Sequence, residues 1–126
     1  DNAKLMATTI MSRDINVVSN GTENHIVLVD LRSKNITGKD LEKVLGSVNI
    51  TVNKNSVPND TASPIITSGI RIGTPAITTR GIGKKEVVQV SNWIADIIEN
   101  IDDELVHEKV KNEVSSLTSE YPVYRL

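Results

Sequence analysis

The chain has 126 residues, of which 38% are hydrophobic and 24% are charged, with a formal net charge of -2 and no cysteine. A chain of this length forms one compact domain and needs no disulfide or metal to fold. The balance of charge gives no basic footprint for nucleic acid, and no apolar run approaches the roughly 20 residues of a membrane span. We therefore expect neither a nucleic-acid nor a membrane partner, and the lack of cysteine suits a cytoplasmic protein.

The first predicted elements are a helix and two strands. The helix runs to about Arg13, and its apolar positions fall near one side: Ala3, Leu5, Met6, Ile10 and Met11. Ile15 to Ser19 is short and β-branched and ends at the turn signal Asn20-Gly21, which predicts a strand. His25 to Leu31 is an almost continuous apolar run. Such a run is typical of a central strand with both faces at least partly covered.

A second predicted helix begins at Thr37, whose hydroxyl can accept a hydrogen bond from the backbone N–H of Asp40. Its buried stripe consists of Leu41, Val44 and Leu45. Val48 to Val52 is predicted as a strand, and Asn53 to Ser63 as a long polar loop. Loops of this length within a compact domain are usually functional or disordered.

The rest of the chain predicts an extended segment and two amphipathic helices. Ile65 to Ile72 has extended character with a break at Ser68-Gly69, and the strongest helix runs from Lys84 to about Ile101. A last helix carries an apolar stripe at intervals of three or four: Leu105, Val106, Val110, Val114 and Leu117. This order predicts an α+β two-layer domain, with a small, mostly antiparallel sheet and helices packed on one face. We expect the strand from His25 to be central and the helix from Lys84 to pack across the sheet.

Few residues have the spacing of a known reaction centre. His25 and His107 are isolated from carboxylates at ligand spacing, so no metal site is predicted. The segment from Thr78 to Lys85 fails the Walker pattern at its first glycine and at its final hydroxyl residue. The carboxylates that start at Asp102 are better explained as first-turn residues of the last helix.

Arg71 is the strongest candidate for binding a ligand. It lies between Ile70 and Ile72, so in a strand it points away from both of them. The planar fork of arginine makes two parallel hydrogen bonds to a carboxylate, which suits it to an anionic ligand. The sequence pattern alone also allows a surface arginine in a structural ion pair.

Several motifs in register resemble one known family, the serine hydroxymethyltransferases. The resemblance rests on Asn49 to Asp60 (NITVNKNSVPND) and on Thr67 to Gly81 (TSGIRIGTPAITTRG). Gly21 to Leu31, Ile36 to Lys39 and the ending Tyr121 to Arg125 match in the same order, so the resemblance covers nearly the whole chain.

The resemblance implies a pyridoxal phosphate enzyme that interconverts serine and glycine and transfers the one-carbon unit to tetrahydrofolate. Arg71 would bind the α-carboxylate of the amino acid. Asn55 would contact the pterin ring of the folate, and Ser63, Pro64 and Ile65 would line the folate site. The chain departs from the family pattern where Thr61-Ala62 replaces a frequent proline and where Ile65 replaces a usual phenylalanine.

The resemblance also implies that the chain, residues 1–126, is a single C-terminal small domain of the fold that the aminotransferase-like pyridoxal phosphate enzymes share. The cofactor-binding lysine would lie in a large domain outside the chain, so no catalytic residue is expected here and the chain alone should be inactive. The full-length parent is expected to be a homodimer. The alternative is a stand-alone α+β module that binds a small anionic ligand through Arg71 and the 53–63 loop.

Overall fold

The computed structural model describes residues 2–18, 26–73 and 83–120. The elements, in chain order, are α1 (Asn2–Met11), β1 (Asn16–Val17), β2 (Ile26–Asp30), a 3-10 turn (Arg32–Lys34), α2 (Gly38–Ser47), β3 (Asn53–Asn55), β4 (Gly69–Gly73), α3 (Lys84–Glu99) and α4 (Glu104–Glu120). This composition confirms the predicted α+β class. His25, Thr74 to Ile82 and the C-terminal Tyr121 to Leu126 lie outside the described residues.

The described strands form one antiparallel sheet in the order β1-β2-β4-β3. Strand β2 is an interior strand of this sheet, as its apolar run predicted. Val27 and Val29 have 0% exposure because they point into the helical layer, whereas Ile26 retains 39% exposure. The alternation within β2 shows that one face of the sheet is fully covered and the other is only partly covered.

The helices supply the core on that covered face. Helix α1 packs against β1 and β2, and α2 packs against β3 and β4. The long helix α3 lies chiefly against α1, with smaller contacts to α2 and α4, so it packs mainly on other helices and not across the strands as predicted. Its apolar stripe is buried as expected: Val87, Val90, Trp93, Ile94, Ile97 and Ile98.

Two apolar positions do not belong to the buried stripes in which the sequence placed them. Met11 at the end of α1 is 48% exposed, and Leu105 at the start of α4 is 79% exposed. Both lie at helix ends, Met11 as the last residue of α1 and Leu105 as the second residue of α4. The first turn of α4 is instead fixed by Asp103, whose Oδ1 accepts from the backbone N–H of Leu105 at 3.0 Å. The interpretation of these carboxylates as helix-start residues is therefore confirmed for Asp103.

The predicted strand Val48 to Val52 is wrong. Helix α2 ends at Ser47, Asn49 has a positive φ of 69°, and the N–H of Ile50 returns to the carbonyl of Leu45 at 2.9 Å. Val48, Ile50 and Val52 are nevertheless buried alternately, which produced the strand-like pattern. The ladder begins at Asn53, where β4 becomes available as a partner, so the first three residues of the predicted loop form β3.

The predicted break at Ser68-Gly69 is confirmed for Ser68, which lies in a bend, whereas Gly69 is the first residue of β4. The extended segment does not begin at Ile65, because residues 64–66 form a turn and Thr67 has a φ of 57°. The N–H of Leu31 donates to the carbonyl of Ser68 at 2.8 Å, which continues the β2–β4 ladder by one bond. Gly69 thus lies in a regular strand and not in a bend.

Helix α2 begins where the sequence predicted it. The Oγ1 of Thr37 accepts from the N–H of Asp40 at 3.2 Å. The N–H groups of Gly38 and Lys39 donate to the carbonyls of Thr67 and Ile66, each at 3.0 Å. The first turn of α2 is therefore hydrogen-bonded to the segment that leads into β4.

Two glycines of α2 provide a matched test of this close approach. A Cβ at Gly38 would collide with the carbonyl oxygen of Gly69 and with Oγ1 of Thr67, whereas a Cβ at Gly46 would meet nothing within 4 Å. We expect Gly38→Ala to lower the free energy of unfolding by about 1–3 kcal/mol through overpacking. Gly46→Ala should raise it by about 0.5–1 kcal/mol because alanine favours the helix. Urea unfolding of both variants measures the two free energies. Equal changes in Gly38→Ala and Gly46→Ala would contradict the close contact at Gly38.

Candidate functional site

The candidate site lies on the face of the sheet opposite to the helices. Ile70 and Ile72 point into the core, so Arg71 points to the other face. In the register of the sheet, Arg71 has Leu28 on one side and Asn53 on the other. The sheet therefore pairs the backbone of Arg71 with a strand on each side, while its side chain projects from the partly covered face.

The Arg71 side chain is exposed and has no ion-pair partner in the part of the chain that the structure describes. The ion pairs found there join Arg13 to Asp96 and Glu99, and Arg32 to Asp30. The structural ion pair that the sequence allowed for Arg71 is thus not formed within residues 2–18, 26–73 and 83–120. Its guanidinium is available to an anionic ligand on this face.

Asn55 lies on the same face, in β3, and not in the loop to which the sequence assigned it. It pairs with Gly69, two residues before Arg71, so Asn55 and Arg71 are diagonal neighbours across the ladder. The Nδ2 of Asn55 donates to the carbonyl of Ser56 at 2.8 Å. The Oδ1 of Asn55 receives no hydrogen bond from the described residues, so this side chain still offers an acceptor to a ligand.

Gly69 allows the segment after β3 to fold over the sheet. A Cβ at this position would lie 2.6 Å from Cγ1 of Val57 and 2.6 Å from the carbonyl oxygen of Val29. Val57 is itself buried, so it packs closely above the glycine. The close packing brings the start of the loop to the same strand that carries Arg71.

Ser63, Pro64 and Ile65 form an exposed turn beyond this loop. The carbonyl of Ser63 accepts from the N–H of Ile66 at 3.0 Å and from the N–H of Thr67 at 2.9 Å. Ile65 is 69% exposed, more than most large apolar side chains of the described chain. The structure thus presents these three residues to solvent on a hydrogen-bonded turn.

Asp60 is the residue of this region that the sequence interpretation missed. Its carboxylate accepts from the Ser68 hydroxyl at 2.7 Å and from the N–H groups of Ala62 and Ser68, each at 2.8 Å. The N–H of Val57 is a fourth donor, at 3.2 Å. The run Pro58-Asn59-Asp60 signalled a turn, but only the fold shows that donors from both ends of the loop meet at one carboxylate.

The hydrogen bonds to Asp60 favour its ionised form. The Ser68 hydroxyl contributes most, followed by the N–H of Ala62, and together the bonds lower the pKa of Asp60 from 3.8 to about 2. Nearby, the Arg32 guanidinium lowers the pKa of Asp30, which it contacts at 2.7 Å. The Nη1 of Arg32 also donates to the carbonyl of Asn59 at 3.4 Å, so the loop is tied to the end of β2.

A lowered pKa predicts a pH dependence of stability. A carboxyl group whose pKa falls on folding stabilises the native state above its unfolded pKa, and this contribution is lost as the pH falls through the folded pKa. The contribution of Asp60 should therefore decrease as the pH falls below about 5 and disappear by about pH 1, below both pKa values. Urea midpoints of the parent and of Asp60→Asn should differ at pH 7 and approach each other as the pH falls toward about 1. Asp102→Asn, at an exposed carboxylate, is the control. A difference in urea midpoint between the parent and Asp60→Asn that stays constant across this pH range would contradict the lowered pKa of Asp60.

None of the lysines is buried, and Lys54, Lys84 and Lys85 are half-buried or exposed. No group of three or more histidine, cysteine or acidic residues in the described part of the chain is arranged to hold a metal ion. None of the described helices is long and apolar enough to cross a membrane. On the open face of the sheet, the Arg71 guanidinium and the Oδ1 of Asn55 are polar groups with no hydrogen-bond partner among the described residues.

Comparison with known proteins identifies relatives along most of the chain. The family described as serine hydroxymethyltransferase matches residues 1–94. The chain is similar to a serine hydroxymethyltransferase of Shewanella pealeana, with 57% identity over 98% of this chain and 29% of the relative. It is also similar to those of Halorhodospira halophila (54%) and Legionella pneumophila (53%), in each case over 98% of this chain and 30% of the relative. The chain thus spans about 30% of the length of the curated relatives that it matches.

Proposed function

The chain belongs to the serine hydroxymethyltransferase family, and from that membership we propose that it is the small domain of an enzyme that interconverts serine and glycine. The full-length enzyme would transfer the hydroxymethyl carbon to tetrahydrofolate. The fraction of the relatives that the chain spans supports a separate large domain, which would hold pyridoxal phosphate. When bound, that cofactor supplies the electron sink for bond cleavage at the α-carbon of the amino acid.

Arg71 is the proposed binding residue for the α-carboxylate. The observation that carries this proposal is its exposed guanidinium, which has no ion-pair partner among the described residues, on a strand that pairs with a neighbour on both sides. Serine and glycine share only their α-amino and α-carboxylate groups. Two parallel hydrogen bonds from Arg71 would fix the rotation of the carboxylate and thereby orient the bonds of the α-carbon.

Asn55 and the turn Ser63-Pro64-Ile65 are the proposed folate contacts. Asn55 would offer its free Oδ1 to N–H groups of the pterin ring, and its place beside Arg71 on one sheet face would bring folate and amino acid together. Ile65 would supply apolar contact in place of aromatic stacking, because it is an exposed aliphatic side chain. The homodimer and the cytoplasmic location of the full-length enzyme stay predictions.

The experiment that tests this function is ligand binding to the full-length protein and to a variant with Asn55→Ala. Loss of the Oδ1 contact should raise the KM for tetrahydrofolate by about tenfold, the value of one hydrogen bond in a partly buried site. The dissociation constant of glycine should stay within about twofold, since the carboxylate is assigned to Arg71. Asn112→Ala, at an exposed position of α4, is the control. An unchanged KM for the folate would contradict the role of Asn55.

A further inference from the structure

The segment from Ser56 to Ser68, hereafter the 56–68 loop, is closed by one side chain. Both oxygens of Asp60 are used: Oδ1 accepts from the N–H of Ala62 and from the Ser68 hydroxyl, and Oδ2 accepts from the N–H groups of Val57 and Ser68. The four distances lie between 2.7 and 3.2 Å. A single carboxylate therefore joins the start, the middle and the end of the loop.

This arrangement fixes both ends of the turn that carries the proposed folate contacts. Ala62 immediately precedes Ser63, and Ser68 immediately follows Thr67. Between them, the carbonyls of Ile66 and Thr67 are held by the N–H groups at the start of α2. The turn is therefore attached at its two ends to Asp60 and at its later carbonyls to a helix.

Such a turn is organised before any ligand arrives. Ile65 has little contact with the core, because it is 69% exposed, yet the backbone on either side of it is hydrogen-bonded at Ser63, Ile66 and Thr67. Ordering a flexible loop on binding costs affinity, and a preformed loop avoids much of that cost. The same carboxylate makes no contact with the strand position of Arg71, so it can act on one ligand more than on the other.

We propose that Asp60 is a positioning residue for the folate: it holds Ser63, Pro64 and Ile65 in their binding arrangement without touching the ligand. This inference rests on the proposed function and adds a role for a residue to which neither the family resemblance nor the proposed ligand contacts assign one. It predicts that a change at Asp60 alters folate binding more than amino-acid binding.

The test uses the full-length enzyme with Asp60→Asn and Ser68→Ala. Asparagine preserves the size of the side chain but has only one acceptor oxygen. One orientation of its amide loses the bonds from the N–H groups of Val57 and Ser68, and the other loses the bond from the N–H of Ala62, because there only the Ser68 hydroxyl can turn to accept from the amide. Ser68→Ala removes only the 2.7 Å hydroxyl bond and provides a milder variant if Asp60→Asn does not fold. Asp102→Asn is the matched control, because this exposed carboxylate accepts no hydrogen bond from the described residues. The readouts are KM for tetrahydrofolate, KM for serine, the dissociation constant of glycine, and amide exchange at Ala62 and Ser68.

In Asp60→Asn, the arrangement of Ser63, Pro64 and Ile65 that binds the folate should be present in fewer molecules. If it is present in about a tenth of them, the KM for tetrahydrofolate rises about tenfold. The serine KM and the glycine dissociation constant should stay within about twofold, and the two amides should exchange faster than in the control. Ser68→Ala should shift the same quantities in the same direction by less. Equal increases for folate and amino acid would show a general structural role and would overturn the proposal.

Two further results separate this inference from the proposed function. Faster amide exchange with an unchanged folate KM would overturn the positioning role and leave the proposed function intact. Absence of hydroxymethyl transfer in the unsubstituted full-length protein would overturn the proposed function, and the positioning role with it.

Discussion

Arg71→Lys in the full-length enzyme should weaken the binding of both serine and glycine by about ten- to a hundredfold. Lysine keeps the positive charge but cannot make the two parallel hydrogen bonds of the guanidinium fork. Loss of one charge-assisted hydrogen bond is worth roughly 1.5–3 kcal/mol, which corresponds to this range of affinity. Turnover should fall as well, because a carboxylate that can rotate no longer holds the α-carbon in its reactive alignment. Titration with glycine, followed by the visible absorption of the bound cofactor, measures the affinity.

The matched control is Arg13→Lys. Arg13 bonds to Asn92, Asp96 and Glu99 of α3, so the same replacement disturbs a helix contact on the other side of the sheet. Its amino-acid affinity should equal that of the parent, although its stability should be slightly lower. If Arg71→Lys also binds and turns over like the parent, Arg71 has only a structural role.

The second large effect is the complete loss of activity in the isolated chain. Residues 1–126 alone should neither transfer a hydroxymethyl group nor retain pyridoxal phosphate. The physical reason is that the proposed function places the lysine that anchors the cofactor in a large domain outside residues 1–126. Gel filtration after incubation with pyridoxal phosphate, followed by an absorption spectrum, tests this. A stoichiometric complex that survives the column would contradict the assignment of the cofactor to a separate domain.

The features that the sequence predicted correctly depend on local patterns. The apolar run before Asp30 identified an interior strand, the three-and-four spacing identified α3, and a single hydroxyl identified the start of α2 at Thr37. Arg71 was placed on the correct face because alternation in a strand is a local rule. These signals depend on neighbours within a few residues, so they are visible without the fold.

The features that it missed depend on distant partners. Val48, Ile50 and Val52 are buried alternately like a strand, but the ladder forms only where β4 lies alongside, at Asn53. Asp60 binds donors as far away as Ser68, and that geometry depends on positive φ angles at Asn59 and Thr67. The position of α3 beside α1 likewise depends on the rest of the fold, because an apolar stripe does not specify which element the helix packs against.

The proposed transfer of the hydroxymethyl carbon is tested most directly when the natural gene product is supplied with tetrahydrofolate and with serine that carries ¹³C in its hydroxymethyl group. We predict that NMR will show the label moving to the folate while an equal amount of glycine forms, and that Arg71→Lys will slow this transfer at subsaturating serine. A gene product that transfers no label, and that binds small anions through Arg71 and the 53–63 loop without any cofactor, would contradict the account and would favour the stand-alone binding module.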